Sequence, residues 1–274
     1  MGQLGTGPPL GPQTDGRLAL AQAVWEAALS ADADAAYRRS KAAAGEDMVL
    51  TMGDQAARYD ARSASVRRAF SRLWWKRPLD VAVAGGLLLI LGPVLALLAL
   101  AVRLESPGPA LYKQERVGLH GRRFLIWKLR TMKVNNDDQA HRKAAEDWFK
   151  GHRNGNGFKS LEDPRITRLG RILRRTSLDE LPQMFNVIRG DMSIVGPRPA
   201  IPYELDLYEP EYFQRQDVPP GITGLWQVSG RETVSAEKMM ELDLIYVRAA
   251  SLSMDLKILV KTGPAVLGSA LRSG

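Results

Sequence analysis

The 274-residue chain contains no cysteine. This excludes a disulfide framework, a thiolate-ligated zinc site, an iron–sulfur cluster and a thiol nucleophile. Histidine is nearly as scarce. His120, His141 and His152 are the whole set, which leaves little material for a histidine metal site or a Ser-His-Asp triad. No glycine-rich phosphate loop is present either. Gly155-x-Gly157 lacks a third glycine and a strand before it. Any chemistry therefore rests on carboxylates, arginines and backbone groups. At 45% apolar and 25% charged residues, the composition is neither disordered nor fibrous.

The charge is unevenly placed. Residues 71–200 hold 23 of the 38 Lys and Arg but only 12 of the 30 Asp and Glu, whereas residues 1–70 are neutral and 201–274 are net acidic. A basic block of this kind meets nucleic acid, anionic lipid or a phosphorylated small molecule, or is simply a solvated face.

Within it runs Val81–Val102, twenty-two residues without a charge or a side-chain hydrogen-bonding group. That length predicts membrane insertion rather than a buried core helix. The run has no cleavage motif at its end and is not read as a secretory signal peptide. Gly92-Pro93 lies at its middle, where proline removes a backbone bond and favours a bend. Both flanks are basic: Arg67, Arg68, Arg72, Lys76 and Arg77 before, Arg103, Lys113, Arg116, Arg122 and Arg123 after. A single span would carry one cluster across the bilayer, so the flanks favour a re-entrant helix with both ends on the cytoplasmic side. Trp74 and Trp75 suit the headgroup zone, or plain packing.

Residues 1–16 read as a loose tail, and 17–72 as Ala-rich short helices, Leu18–Ala44 among them. Asp32-Ala33-Asp34 has the spacing of a metal-binding motif but reads as a solvated helix face. Two strand-like runs, 110–116 and 123–132, flank Gly118-Leu119-His120-Gly121 and predict a hairpin. Residues 135–160 read as a short charged helix (139–150) plus a loop, or as a mobile lid. Ile166, Leu169, Ile172 and Leu173 share one helical face, with arginines around the others; this is an amphipathic basic helix suited to an anionic surface or a phosphate pocket. Residues 254–271 form a second apolar segment, too charged to span and suited to the interface.

Ser177-Leu178-Asp179-Glu180-Leu181-Pro182 admits two readings. Ser177 and Glu180 fit a capping box, although Pro182 then falls too deep in the helix. Alternatively, a helix N-terminus beside Arg174 and Arg175 is a phosphate site. An ionised Asp there can attack phosphorus while the adjacent acid holds Mg²⁺. Arg198, between two prolines in Gly196-Pro197-Arg198-Pro199, is directed for bidentate phosphate binding, or is a surface residue on a stiff turn. Residues 219–231 read as a strand offering Trp226 and Arg231 to a base or sugar, with Trp226 as core the alternative.

These motifs occur in the order of a known family. Tyr112–Gly118, Trp127–Met132, Asp163–Gly170, Ser177–Gln183, Gly190–Pro199 and Pro220–Gly224 together resemble the bacterial sugar transferases, monotopic polyprenol-phosphate phosphoglycosyl transferases, over about residues 71–265. The resemblance implies an α+β, mostly helical fold. A re-entrant helix-break-helix membrane hairpin (71–105) would join a cytoplasmic catalytic domain (106–274) with a small β element and interfacial amphipathic helices. Residues 1–70 would form an N-terminal extension. It implies transfer of a hexose 1-phosphate, glucose or galactose, from a UDP-sugar to undecaprenyl phosphate, as the first membrane step of exopolysaccharide or other surface-glycan assembly. The place implied is the cytoplasmic face of the bacterial inner membrane, among its lipids, with Mg²⁺ as cofactor. Nucleic acid is not an expected partner, and homo-oligomerisation is left open. Asp179 resembles the nucleophile, and Glu180 (with Asp179) the metal-binding acid. Lys128, Arg174, Arg198, Arg231 and Asp255 match substrate-binding positions. Gly92 and Pro93 match the membrane break, with Gly92 where the family often has serine. The alternative reading is a non-catalytic, membrane-anchored basic module that binds anionic lipid or nucleic acid.

Overall fold

The computed structural model describes Phe70 and residues 73–133, 139–150, 163–230 and 234–272. All of these belong to the compact unit Leu50–Gly274. Arg231, the Asp32–Asp34 motif, the 154–157 tip and the expected N-terminal helices lie outside the described residues.

The described fold is mostly helical with two small sheets. Helix α1, Lys76–Glu105, runs through Gly92 and Pro93 without interruption. One proline removes a single N–H, and the neighbouring turns continue. Only Lys76, Asp80, Ala84 and Val102 are buried along it. Its most apolar stretch has mean hydropathy 2.6 and very little of it is buried; Leu89 and Ile90 are 82% and 72% exposed. An apolar face of this size requires an apolar surrounding.

Both ends of α1 are fixed to the same domain. At the start, Lys76 pairs with Asp255 at 2.5 Å, Arg77 donates to the Val187 and Ile188 carbonyls, and Asp80 accepts from the Ile194 N–H at 3.0 Å. At the end, the Arg130 guanidinium gathers the carbonyls of Val102, Ser106, Pro107 and Gly108. One belongs to the last turn of α1 and three to the chain that leaves it, so the guanidinium fixes the helix end and its exit together. Val102 packs with Leu129 and Leu173 in a buried apolar cluster.

Strands β1 (Leu111–Val117) and β2 (Arg123–Leu129) form the expected antiparallel hairpin, in register from Leu111↔Leu129 to Val117↔Arg123. The turn between them places His120 at φ 54°. Helix α2 is Gln139–Phe149 and α3 is Arg168–Thr176. Along α3, Leu173 is buried but Ile172 is 57% exposed. Ile166 precedes the helix and bridges to Met132, so the expected four-residue stripe is divided. Gly170 is required here: a Cβ would stand 2.1 Å from the Thr131 carbonyl oxygen.

Helix α4 (Gln183–Arg189) leads into β3, Ser193–Val195. Two 3₁₀ segments follow, Pro202–Leu207 and Pro210–Asp217. Strand β4 (Gly221–Thr223) pairs in parallel with β3. Gly196 and Gly221 pass so closely that a Cβ on Gly221 would meet the Gly196 nitrogen at 2.1 Å. Two of the sequence motifs therefore carry glycine for backbone approach. The strand expected over 219–231 ends at Thr223. Trp226 lies on the short helix α5, Leu225–Val228, against the Tyr212–Met239–Met240–Leu244 core. The indole there is partly buried, packed against the core rather than carried on a strand. Helices α6 (Ala236–Ala249) and α7 (Leu252–Arg272) complete the described chain.

Candidate active site

The turn carrying Asp179 and Glu180 is made by its neighbours. Thr167 caps α3 by accepting from the Gly170 N–H at 3.0 Å, and Glu105 accepts from the Leu169 N–H at 2.9 Å. The helix stops at Ser177, which is left-handed at φ 57°, ψ 17°. That conformation is uncommon for serine and reverses the chain. Leu178 then enters the Val102–Leu129–Leu173 cluster, and Leu178–Glu180 forms one 3₁₀ turn. The capping box expected of Ser177 and Glu180 does not form, because Ser177 makes no side-chain cap. Pro182 stands instead as the N-cap of α4, where its missing N–H costs no helical bond.

This geometry buries Asp179 to 3% exposure and sends Glu180 to β2. Lys128 Nζ donates to Glu180 Oε1 at 3.0 Å, with both side chains about one-fifth exposed. Arg174 and Arg175 occupy the last turn of α3, just before the reversal. The structure thus brings Lys128, Arg174, Asp179 and Glu180 to one turn, across 52 residues between the lysine and its acid.

Two other expected site residues are held elsewhere. Arg198 forms a bidentate pair with Glu204, at 2.8 and 3.0 Å. Its N–H donates to Asp243, and its carbonyl accepts from Arg215 at 2.8 Å. Arg215 in turn pairs with Asp243 at 2.6 Å, and Arg116 donates to the Pro199 carbonyl at 3.0 Å. Burial alone would raise the Glu204 carboxyl, but the Arg198 charge and hydrogen bonds outweigh it and hold it below the ordinary value. Burial brings Arg116 down to about 10, helped by the Arg198 charge. Burial pushes Tyr208, beside Arg215, up to about 12.

Asp255 is the second. It bridges Lys76 of α1 and the Tyr246 hydroxyl, which donates at 2.8 Å. Burial raises its pKa despite both partners.

Sequence reading missed Glu204, Arg215, Asp243 and Tyr246. None stands in a motif, and their partners are fixed only by tertiary folding. It also missed a cleft of about 200 Å³ adjoining Glu180, walled by the Ser177 turn, α4, β4, α5 and α7.

Among the described residues no group of three or more His, Asp or Glu is poised for a metal. The neighbouring Asp179 and Glu180 nevertheless fit Mg²⁺, which commonly takes one or two protein carboxylates and completes its shell with substrate phosphates and water.

The carboxylate pair and its basic neighbours sit on a domain joined to a long apolar helix. The chain belongs to the bacterial sugar transferase family, whose model matches residues 71–269. It is similar to a UDP-glucose:undecaprenyl-phosphate glucose-1-phosphate transferase of Caulobacter vibrioides, with 45% identity over 202 residues, 70% of this chain and 69% of that protein. An Escherichia coli protein of the same description is 41% identical over 212 residues, 74% of this chain and 41% of that one. The exopolysaccharide production protein ExoY of Sinorhizobium fredii is 42% identical over 199 residues, covering 70% and 84%. The chain thus spans less than half of the E. coli protein.

Proposed function

We propose that this protein transfers a hexose 1-phosphate from a UDP-sugar to undecaprenyl phosphate, at the cytoplasmic face of the inner membrane, to begin a surface glycan. The observation that carries this reading is the buried Asp179 next to the Lys128–Glu180 pair, in a member of this family. A carboxylate oxygen of Asp179 attacks the sugar-bearing phosphorus. The bond from that phosphorus to the UMP oxygen breaks and UMP leaves, giving an aspartyl phospho-sugar. An oxygen of undecaprenyl phosphate then attacks the same phosphorus, and the carboxylate is released. Lys128 and Arg174 neutralise phosphate charge, and Lys128 also orients Glu180. Bound Mg²⁺, held by Glu180 and Asp179, would offset charge on the leaving phosphate.

The membrane reading has its own support. A helix that crossed the bilayer would separate its ends by about 30 Å of hydrocarbon. Here Lys76 and Arg77 at one end, and Val102 and Ser106 at the other, are all tied to one polar domain. The helix break expected at Gly92-Pro93 does not form, since α1 is continuous there; the reading that both ends stay on one side of the bilayer is supported by the two anchors alone.

The test is UMP release from a panel of UDP-sugars by the solubilised full chain, with undecaprenyl phosphate. Turnover with at least one UDP-hexose, and a labelled sugar phosphate trapped on Asp179 before acceptor is added, are expected. Turnover without any enzyme-bound phosphate would replace the two-step route with direct transfer. No UMP from any donor would remove the reading.

A further inference from the structure

The cleft beside Glu180 is too small for a whole donor. At about 200 Å³ it lies below the roughly 300–1,000 Å³ of sites that enclose a complete small-molecule ligand. Its walls are Leu181, Met184, Ile222, Val228, Ala265 and Val266.

Most polar groups among these walls are engaged within the protein, although Gln227 Oε1 is a buried acceptor without a hydrogen-bond partner among the described residues. Thr262 Oγ1 donates to the Ile258 carbonyl at 2.8 Å, so the proton in its 2.9 Å contact with Thr223 belongs to Thr223. Both hydroxyl protons are therefore used, and the methyl groups remain as lining. Gln227 donates its amide to the Ile222 carbonyl at 2.9 Å. A sugar or a base would find few donors here, whereas a hydrocarbon loses nothing.

The two ends of the cleft differ. One is the Thr176–Glu180 turn, with Glu180 paired to Lys128. Just before it, Arg175 Nε is shielded from water and makes no hydrogen bond among the described residues. A buried N–H of this kind is costly unless an acceptor arrives. The far wall is α7, whose earlier turns expose Leu252, Leu256 and Val260. One helix thus carries both a cleft wall and an uncovered apolar face.

We propose, resting on the function proposed above, that this cleft seats the first isoprene units of the polyprenyl phosphate acceptor, with the phosphate at the Ser177 turn beside Lys128 and Arg175. An apolar slot that ends at Glu180, whose partner Lys128 brings a positive charge to that end, matches an amphiphile of that chemistry. The UDP-sugar binds outside it, on the solvent side of Asp179.

The experiment uses the full chain in nanodiscs. Ala265→Phe fills the slot. It is expected to raise the KM for polyprenyl phosphate by about tenfold or more, with donor KM within about twofold. An unchanged acceptor KM overturns the proposal, and so does a rise confined to the donor KM, which would assign the slot to sugar or nucleotide. Wild-type enzyme provides a measurement independent of the variant's folding. Geranyl phosphate with a diazirine on its first isoprene unit should label peptides containing Met184, Ile222 or Ala265; labelling confined to α1 overturns the proposal. If wild type releases no UMP from any UDP-sugar, the enzymatic reading fails, but the cross-link still reports where a polyprenyl phosphate sits.

Discussion

Two regions of this domain combine carboxylates with cationic side chains, and they differ in what is left to bind. Around Arg198, three guanidinium groups (Arg116, Arg198, Arg215) face two carboxylates (Glu204, Asp243), all nearly excluded from water. There the acids neutralise the arginines and fix backbone: Glu204 also accepts from the Ile201 N–H at 3.0 Å. Around Asp179, the Lys128–Glu180 pair is partly open and borders a cleft. The same residue types thus hold the fold in one place and border a cleft in the other. What separates them is access, which a motif does not encode. Three substitutions and one titration follow, each able to break that distinction.

The largest effect belongs to the open cluster. Asp179→Asn is expected to lower UMP release by about 10⁴-fold or more, since it removes the attacking oxygen's charge. Thermal stability should stay near that of wild type. Activity near wild type would remove Asp179 as nucleophile, and the contrast between the clusters with it.

The closed cluster should respond the other way. Glu204→Gln leaves Arg198 and Arg116 buried with one counter-charge fewer, a loss of about 3–5 kcal/mol in stability. Chemical denaturation checks this. An unchanged midpoint with a raised donor KM would instead make Arg198 a substrate-binding arginine kept in reserve by Glu204.

Much of this was legible in the chain before folding. The hairpin followed from alternation: Phe124 and Ile126 are buried while Leu125 is half exposed. The apolar run named α1, and the Asp-Glu pair named the candidate site. The partners were not legible. Glu204 stands in a 3₁₀ segment without periodicity, so nothing marked it as the acid that occupies Arg198. The capping box failed because Ser177 turns left-handed, a choice made by Leu178 reaching the α1–β2 cluster. Asp255 looked like a site residue because it shares a family motif; only the fold delivers Lys76 to it, 179 residues away in sequence.

A more moderate loss is expected from Lys128→Met, which keeps the stem and removes the charge. About 10²-fold in turnover is expected, on the scale of losing one electrostatic donor to a reacting phosphate. Stability should fall by less than for Glu204→Gln, because this pair is about one-fifth exposed and the Glu204 carboxylate is fully buried. A large drop in melting temperature would move Lys128 into the structural class with Arg198.

The smallest effect is a difference of slope with pH. Glu204 is held below its ordinary value, so the unfolded chain binds its proton more readily. Its contribution is complete above the unfolded pKa, about 4.3, and is lost as pH falls through the depressed folded value. Asp255 is shifted the other way by burial. The folded chain binds its proton more readily, so its contribution is greatest below about 3.9 and declines as pH rises through the raised folded value. Denaturation of wild type, Glu204→Gln and Asp255→Asn across mildly acidic pH separates them. The advantage of wild type over Glu204→Gln should shrink on acidification, whereas wild type should lose ground to Asp255→Asn as pH rises. Parallel slopes would mean that Lys76, not burial, sets the state of Asp255, and that the anchor of α1 is a fully ionised pair like the one at Arg198.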